Sequence, residues 1–190
     1  MSVAAEQKTK TLKNYVGGSW VEVTGAELHD VINPATGAAI ARVPFSTAAN
    51  LDDAVQAAKA ALPAWRGVST IARARKLFEL REKLEARKDE IARCVVTEMG
   101  KTFPDAKAEV GRMIEMVEAA TAIPTTMQGR ILEDVARGVD AETIRQPVGV
   151  CAAIAPFNFP AMVPFWFLPF AIACGNTFVL KPSEQVPMTQ

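Results

Sequence analysis

The sequence predicts an α/β protein, and three observations carry that prediction. Two apolar runs, Gly149 to Ala155 and Thr177 to Leu180, are separated by a segment long enough for a crossover helix. Strand, helix, strand is the βαβ unit, whose crossover is right-handed in nearly all cases. The first run, Gly149-Val150-Cys151-Ala152-Ala153-Ile154-Ala155, is apolar at every position, as a central parallel strand covered on both faces should be. Ahead of the unit, residues 50–123 read as consecutive amphipathic helices, which need a surface to pack on.

Taken in order, residues 1–14 read as a flexible N-terminus. Met1 to Asn14 is polar, with Lys8, Lys10 and Lys13 and no apolar centre, so it does not read as a signal peptide. It also lacks the arginines of a mitochondrial targeting segment. Residues 15–128 form the next unit, short strands followed by a helical layer. Tyr15 to Val21 predicts a hairpin around Gly17-Gly18. Val31-Ile32 runs into the turn chemistry of Asn33-Pro34-Ala35-Thr36-Gly37, and Ile40 to Val43 returns as a strand.

Asn50 to Leu62 predicts a helix with Leu51, Val55, Ala58 and Leu62 on one face, stopped by Pro63. Ser69 caps a second helix bearing Leu77, Leu80 and Leu84, a stripe read as core packing. Asp89 is expected to cap a third, closed after Met99 by Gly100. Pro104 suits the first turn of a fourth, expected to reach Ile123 before Pro124.

Residues 129–147 predict two exposed strands, Gly129 to Leu132 and Glu142 to Arg145, around a polar turn. Residues 148–190 hold the βαβ unit. Its helix is expected to start at or after Pro160, with a kink at Pro164 or Pro169. Pro187-Met188-Thr189-Gln190 reads as the first turn of another helix. A single βαβ crossover leaves sheet edges unpaired, so the chain reads as the N-terminal piece of a longer protein.

Composition narrows the function. Lys plus Arg number 21 and Asp plus Glu 21, so there is no basic footprint for nucleic acid. Val148 to Leu180 is apolar but is broken by Gly149, Pro156, Pro160, Pro164, Pro169 and Gly175, a poor membrane span. Cys94, Cys151 and Cys174 have neither metal-ligand spacing nor an even count for a disulfide framework, so a reducing cytoplasm is the default. Cys151 and Cys174 lie in apolar runs, where a thiol stays protonated and inert. His29, the single histidine, has no neighbouring nucleophile to serve as a base. Gly100-Lys101-Thr102 lacks the upstream glycine of a phosphate loop, because position 95 is Val95.

Open α/β sheets bind ligands beyond the carboxyl ends of their strands. Two motifs occupy those ends, Pro156-Phe157-Asn158-Phe159-Pro160 and Lys181-Pro182-Ser183-Glu184. The Asn158 amide can donate to a developing oxyanion. Lys181 and Glu184 can hydrogen-bond ribose hydroxyls, and a carboxylate there repels a 2′-phosphate. Read without other context, Asn158 is better explained as a turn residue, and Lys181 with Glu184 as an ordinary solvated pair.

These motifs resemble the aldehyde dehydrogenase superfamily. The resemblance runs from Tyr15-Val16-Gly17-Gly18 through Asn33-Pro34-Ala35-Thr36-Gly37 and Glu98-Met99-Gly100-Lys101-Thr102 to Lys181-Pro182-Ser183-Glu184. The stretch from Pro147-Val148-Gly149 through Phe157-Asn158-Phe159-Pro160 to Cys174-Gly175-Asn176-Thr177-Phe178 is most like the CoA-acylating branch, the methylmalonate-semialdehyde dehydrogenases. It implies an incomplete Rossmann-like dinucleotide-binding domain with a preceding helical layer, residues 129–147 serving as an oligomerisation β-hairpin.

The implied chemistry is attack of a cysteine on an aldehyde, hydride transfer to NAD, and release of the thioester by coenzyme A with loss of carbon dioxide. Asn158 matches the oxyanion donor. Ala155, Phe157, Lys181, Glu184 and Gln185 match cofactor positions, and Arg112, Phe159 and Trp166 match substrate positions. Arg112 would grip a substrate carboxylate, although an arginine on an amphipathic helix is most often a surface residue. Two departures stand out. Phe167 replaces a lysine common in hydrolytic relatives, and Gln185 replaces an arginine common in the acylating branch, removing a cationic contact. The implied nucleophile and general base lie outside these residues. The implied partners are a small semialdehyde and further copies of the chain, a dimer or tetramer, with no metal. Two alternatives stand beside this reading: a hydrolytic dehydrogenase for another semialdehyde, and a non-catalytic remnant.

Overall fold

Gly17 and Gly18, both at positive φ (57° and 83°), close the first hairpin of the computed structural model, which describes residues 9–190. The strands are β1 (Asn14–Val16) and β2 (Ser19–Val21). A second antiparallel pair follows, β3 (Leu28–Ile32) and β4 (Ala39–Pro44). Asn33 folds the turn after β3 by accepting from the Ala35 N–H at 2.9 Å. Of the stretch expected to be flexible, residues 1–8 lie outside the described residues. Residues 10–12 pair with β4, the Leu12 N–H donating to the Arg42 carbonyl at 2.8 Å.

Helix α1 spans Ala48–Gly67 and starts in a capping box between Thr47 and Asn50. It does not stop at Pro63, as the sequence suggested. Pro63 is exposed, so water can serve the carbonyl that loses its N–H partner. Trp65, one turn further, fixes the helix end by donating from Nε1 to the Ile172 carbonyl at 3.0 Å. The expected inner face also shifts: Leu51 is 55% exposed, and Val55, Ala58, Leu62 and Trp65 are among the partly covered positions.

Ser69 caps α2 (Thr70–Ala86) as expected, accepting from the Ala72 N–H. Asp89 does not cap α3 (Lys88–Met99). It lies in the first turn, where its carboxylate meets Lys107 at 2.7 Å, and Arg87 takes the cap position without a side-chain bond. Gly100 ends α3 at φ 82°, and a Cβ there would approach Pro34 to 2.8 Å. Thr102 caps α4 (Phe103–Ala120). This helix ends before Ile123 because Pro124 has no N–H for the Ala120 carbonyl. Pro124 instead begins α5 (Ile123–Thr126) in its first turn.

The core is built by this helical layer. Ala92 and Val95 of α3 meet Ala106, Val110, Met113 and Ile114 of α4 and reach Ala161. Leu77, Val117, Ala120 and Ile123 form a second cluster that takes in Ala173. Next comes a hairpin, β5 (Arg130–Ala136) with β6 (Val139–Thr143), antiparallel and exposed at every position.

The βαβ unit forms as predicted. Strand β7 (Val150–Ile154) pairs in parallel with β8 (Thr177–Lys181), in register from Val150 opposite Thr177 to Ile154 opposite Lys181. The crossover divides into α6 (Met162–Phe165) and α7 (Leu168–Ala173), with Pro164 inside the first and Pro169 in the first turn of the second. The expectation that β7 is covered on both faces fails. Ala152 is exposed and Ile154 is 82% exposed, because helix packing by α1 and α7 leaves part of this two-stranded sheet open.

Arg73 joins the layer to the crossover. It is 4% exposed and donates from Nε to the Ala173 carbonyl at 2.8 Å, and from Nη1 to the Val68 carbonyl. Gly175, at φ 95°, leaves room for it: a Cβ there would sit 3.1 Å from the guanidinium carbon. Arg73→Met removes these donors and keeps the bulk, so it should lower stability by about 2–3 kcal/mol. Urea denaturation checks this, and a loss well under 1 kcal/mol would show that water replaces the guanidinium.

Candidate functional site

The parallel register brings the two sequence motifs together. The Ala155 N–H, the first beyond β7, donates to the Lys181 carbonyl, the last of β8, at 3.0 Å. The Asn158 turn and the Lys181–Glu184 segment therefore leave one carboxyl edge side by side, where an open parallel sheet receives ligands. Gln190 ties them a second time. Its Oε1 accepts from the Ser183 N–H at 2.7 Å, and its Nε2 donates to the Pro156 carbonyl at 3.0 Å.

Ala155 is buried beneath the edge, and Phe157, Asn158 and Phe159 project into solvent. Trp166 is exposed just after α6. Lys181 and Glu184 lie 3.4 Å apart, both well exposed. Glu184's own backbone N–H, followed by Lys181, holds its carboxyl below the usual range. It is an anion at neutral pH and a ready acceptor for two neighbouring hydroxyls. Gln185 is exposed beside it, and its N–H donates to Ser183 Oγ at 3.3 Å. These exposed residues can flank an extended nucleotide along the sheet edge.

Arg112 stands apart from that edge. It is exposed on α4 and pairs with Glu115 at 2.8 Å. It lies one turn after Glu109, which touches the start of α6, so both share one side of α4.

Residues 20–190 match the aldehyde dehydrogenase family. The chain belongs to that family. Among curated relatives it is 52% identical over 182 residues to malonate-semialdehyde dehydrogenase 2 of Bacillus mycoides (strain KBAB4), covering 96% of this chain and 38% of the relative. Among solved structures it superposes with TM-score 0.93 and 38% identity on a Sinorhizobium meliloti 1021 protein assigned as a methylmalonate-semialdehyde dehydrogenase and complexed with NAD. That match covers 97% of this chain and 38% of the other. The methylmalonate-semialdehyde dehydrogenase of Oceanimonas doudoroffii follows at TM-score 0.92 and 40% identity, covering 95% and 37%. The chain thus spans about two fifths of the length of the relatives it matches.

In this aldehyde dehydrogenase chain, three residues that support the edge were given no role from sequence. They are Glu98, Glu109 and Gln190. Glu98 is 3% exposed on α3. One of its oxygens accepts from the Met188 N–H at 2.6 Å, and the other from the Thr189 N–H and hydroxyl at 2.6 Å each. Pro187 to Thr189, expected to open a helix, form a turn that this carboxylate holds. Glu109 holds the other loop from α4 in the same manner. A charge at an apolar helix register was the available signal: Glu109 sits among Ala106, Val110 and Met113 on the buried face. Gln190 carries no pattern of that kind.

The other candidates stay outside the site. Burial is the main cause raising the thiols of Cys94 and Cys174, as expected of unreactive cysteines. His29 stacks on Phe45 with ring centroids 5.6 Å apart. No acidic, histidine or cysteine cluster able to hold a metal occurs among the described residues. Among them, too, no helix is long and apolar enough to cross a membrane.

Burial lifts the Glu98 carboxyl above its usual 4.5, and the Thr189 and Met188 donors only partly offset this. The folded chain therefore binds this proton more tightly than the unfolded chain. Glu98's contribution to stability is fullest below pH 4.5 and declines as pH rises through the folded value. Glu98→Gln should flatten the fall in unfolding free energy from about pH 4.5 to neutrality, as read from urea midpoints. Equal slopes in both proteins would show that Glu98 titrates alike in the two states.

Proposed function

We propose that this chain is the N-terminal portion of an NAD-dependent, CoA-acylating semialdehyde dehydrogenase. Its substrate would be methylmalonate or malonate semialdehyde, released as propionyl-CoA or acetyl-CoA with carbon dioxide. The carrying observation is the Ala155 to Lys181 hydrogen bond, which sets the Asn158 turn beside the Lys181–Glu184 pair. Identity of 52% to a malonate-semialdehyde dehydrogenase supports the substrate class.

Each residue has a role that its chemistry suits. Lys181 and Glu184 hold the two hydroxyls of the cofactor's adenosine ribose, Glu184 disfavouring a 2′-phosphate. Ala155, Phe157 and Gln185 flank the same groove. NAD, when bound, supplies the hydride acceptor. Asn158 donates its amide N–H to the substrate oxygen as negative charge develops there. Phe159 and Trp166 wall the aldehyde's path and exclude water. Arg112 exchanges Glu115 for the substrate carboxylate, which a guanidinium can grip with two parallel bonds. The exposed apolar residues of the β5–β6 hairpin, among them Ile131 and Leu132, suit pairing with another copy in a dimer or tetramer. The absence of charge excess fits a small-molecule partner, and three cysteines without a disulfide framework fit a cytoplasmic setting.

The deciding assay gives the full-length protein each semialdehyde with NAD, with and without coenzyme A. Acyl-CoA formed in step with NADH supports the reading. Free dicarboxylic acid formed regardless of coenzyme A would replace it with the hydrolytic one. The 190-residue chain alone should produce no NADH.

Two substitutions test the assignments. Asn158→Ala should lower kcat by about 10²–10³-fold with little change in KM for NAD, and an unchanged kcat would remove the oxyanion role. Arg112→Leu should raise KM for the carboxylated semialdehydes by about 10–100-fold while sparing propanal. Equal loss on both would return Arg112 to the surface.

A further inference from the structure

The Asn158 turn has no regular structure between Ile154, the end of β7, and Met162, the start of α6. It is nevertheless held from inside. The side chain of Glu109 is 1% exposed. Its Oε1 accepts from the Ala161 N–H at 2.8 Å and the Met162 N–H at 3.2 Å. Its Oε2 accepts from Lys101 Nζ at 2.5 Å. That ammonium in turn lies 3.7 Å from the centroid of the Phe159 ring. One buried carboxylate thus grips the turn twice, on two backbone amides and, through a lysine, on the ring next to Asn158.

A purely structural account needs the first grip and a cation to balance the buried carboxylate, but not the contact of that cation with the ring. Two amides at the start of α6 need an acceptor, and a carboxylate supplies one. A cation over an aromatic face fixes the ring rather than the helix. Lys101 is 15% exposed at its side chain, so the cation's side of the contact is largely out of water, while the Phe159 ring is 39% exposed. Desolvation makes such a contact stronger than one at an open surface.

We propose that Glu109 and Lys101 are positioning residues for the reaction, Glu109 holding the backbone beyond Asn158 and Lys101 holding the ring of Phe159. The inference rests on the reading of Asn158 as oxyanion donor. Neither residue touches the reacting atoms; both act through the turn. An oxyanion donor must sit within about 2.7–3.1 Å of the forming oxyanion. Displacement by an ångström can cost up to about a hundredfold in rate.

The test uses the full-length protein, four variants of the pair, and Asn158→Ala as the reference. Lys101→Met keeps the stem and loses the charge. Glu109→Gln keeps an oxygen for the two amides and turns an N–H toward Lys101. Each should lower kcat by about tenfold with KM for NAD unchanged. The double variant should be no slower than either single, since the pair acts as one unit. Lys101→Arg should recover most of the rate. Amide exchange at Ala161 and Met162 should quicken in Glu109→Gln.

A parental kcat in Lys101→Met, with Asn158→Ala slow in the same assay, would overturn the positioning role. So would losses that multiply in the double variant. If Lys101→Met and Asn158→Ala both keep the parental rate, the oxyanion reading itself fails, and the positioning role goes with it.

Discussion

A carboxylate removed from water must be met by donors, and the helical layer buries two that find theirs in the loops of the sheet edge. Glu109 of α4 takes the Ala161 and Met162 amides, and Glu98 of α3 takes those of Met188 and Thr189. An uncompensated buried charge costs several kcal/mol, so neither loop can drift without exposing that penalty. The edge is therefore tied to the helices by ionic and hydrogen-bonding groups, while Val95, Val110 and Met113 provide the apolar contact beneath. Gln190 then joins one loop to the other.

Much of the fold was legible in the sequence because local rules act at single residues. Gly17-Gly18, Ser69, Gly100 and Pro104 each did what their backbone or capping chemistry predicts. Where local rules misled, a distant partner had intervened. Pro63 failed to end α1 because Trp65 reaches across to Ile172, more than a hundred residues away in sequence. Asp89 failed to cap α3 because Lys107 of the next helix holds its side chain. Coverage of β7 could not be read from composition, because an apolar run records what a strand tolerates rather than what lies against it.

The candidate site divides along the same line. The Asn158 turn and the Lys181–Glu184 pair were visible as motifs at strand ends, and parallel pairing sets them side by side. The groups beneath were not visible. Glu98 and Glu109 look like ordinary helix glutamates until their apolar register is noticed, and Lys101, seen in a rejected phosphate loop and in the Glu98 to Thr102 motif, was given no role. Exposed residues proposed to meet a ligand announce themselves by type. Buried residues that aim them are recognisable only once the chain is folded.

The two ion pairs at the edge differ in the way their proposed roles require. Lys181 and Glu184 are 57% and 41% exposed at the side chain and 3.4 Å apart, and such a pair contributes about 0–1 kcal/mol. A hydroxyl arriving with its own donor and acceptor displaces it at little cost. Lys101 and Glu109 are 15% and 1% exposed, and separating them would strand a buried carboxylate, typically at about 3–5 kcal/mol. A ligand's hydroxyl does not repay that. The exposed pair is thus free to be exchanged, and the buried pair persists through exchange at the edge, keeping Phe159 and the turn that carries Asn158 in place while the groups above them change partners.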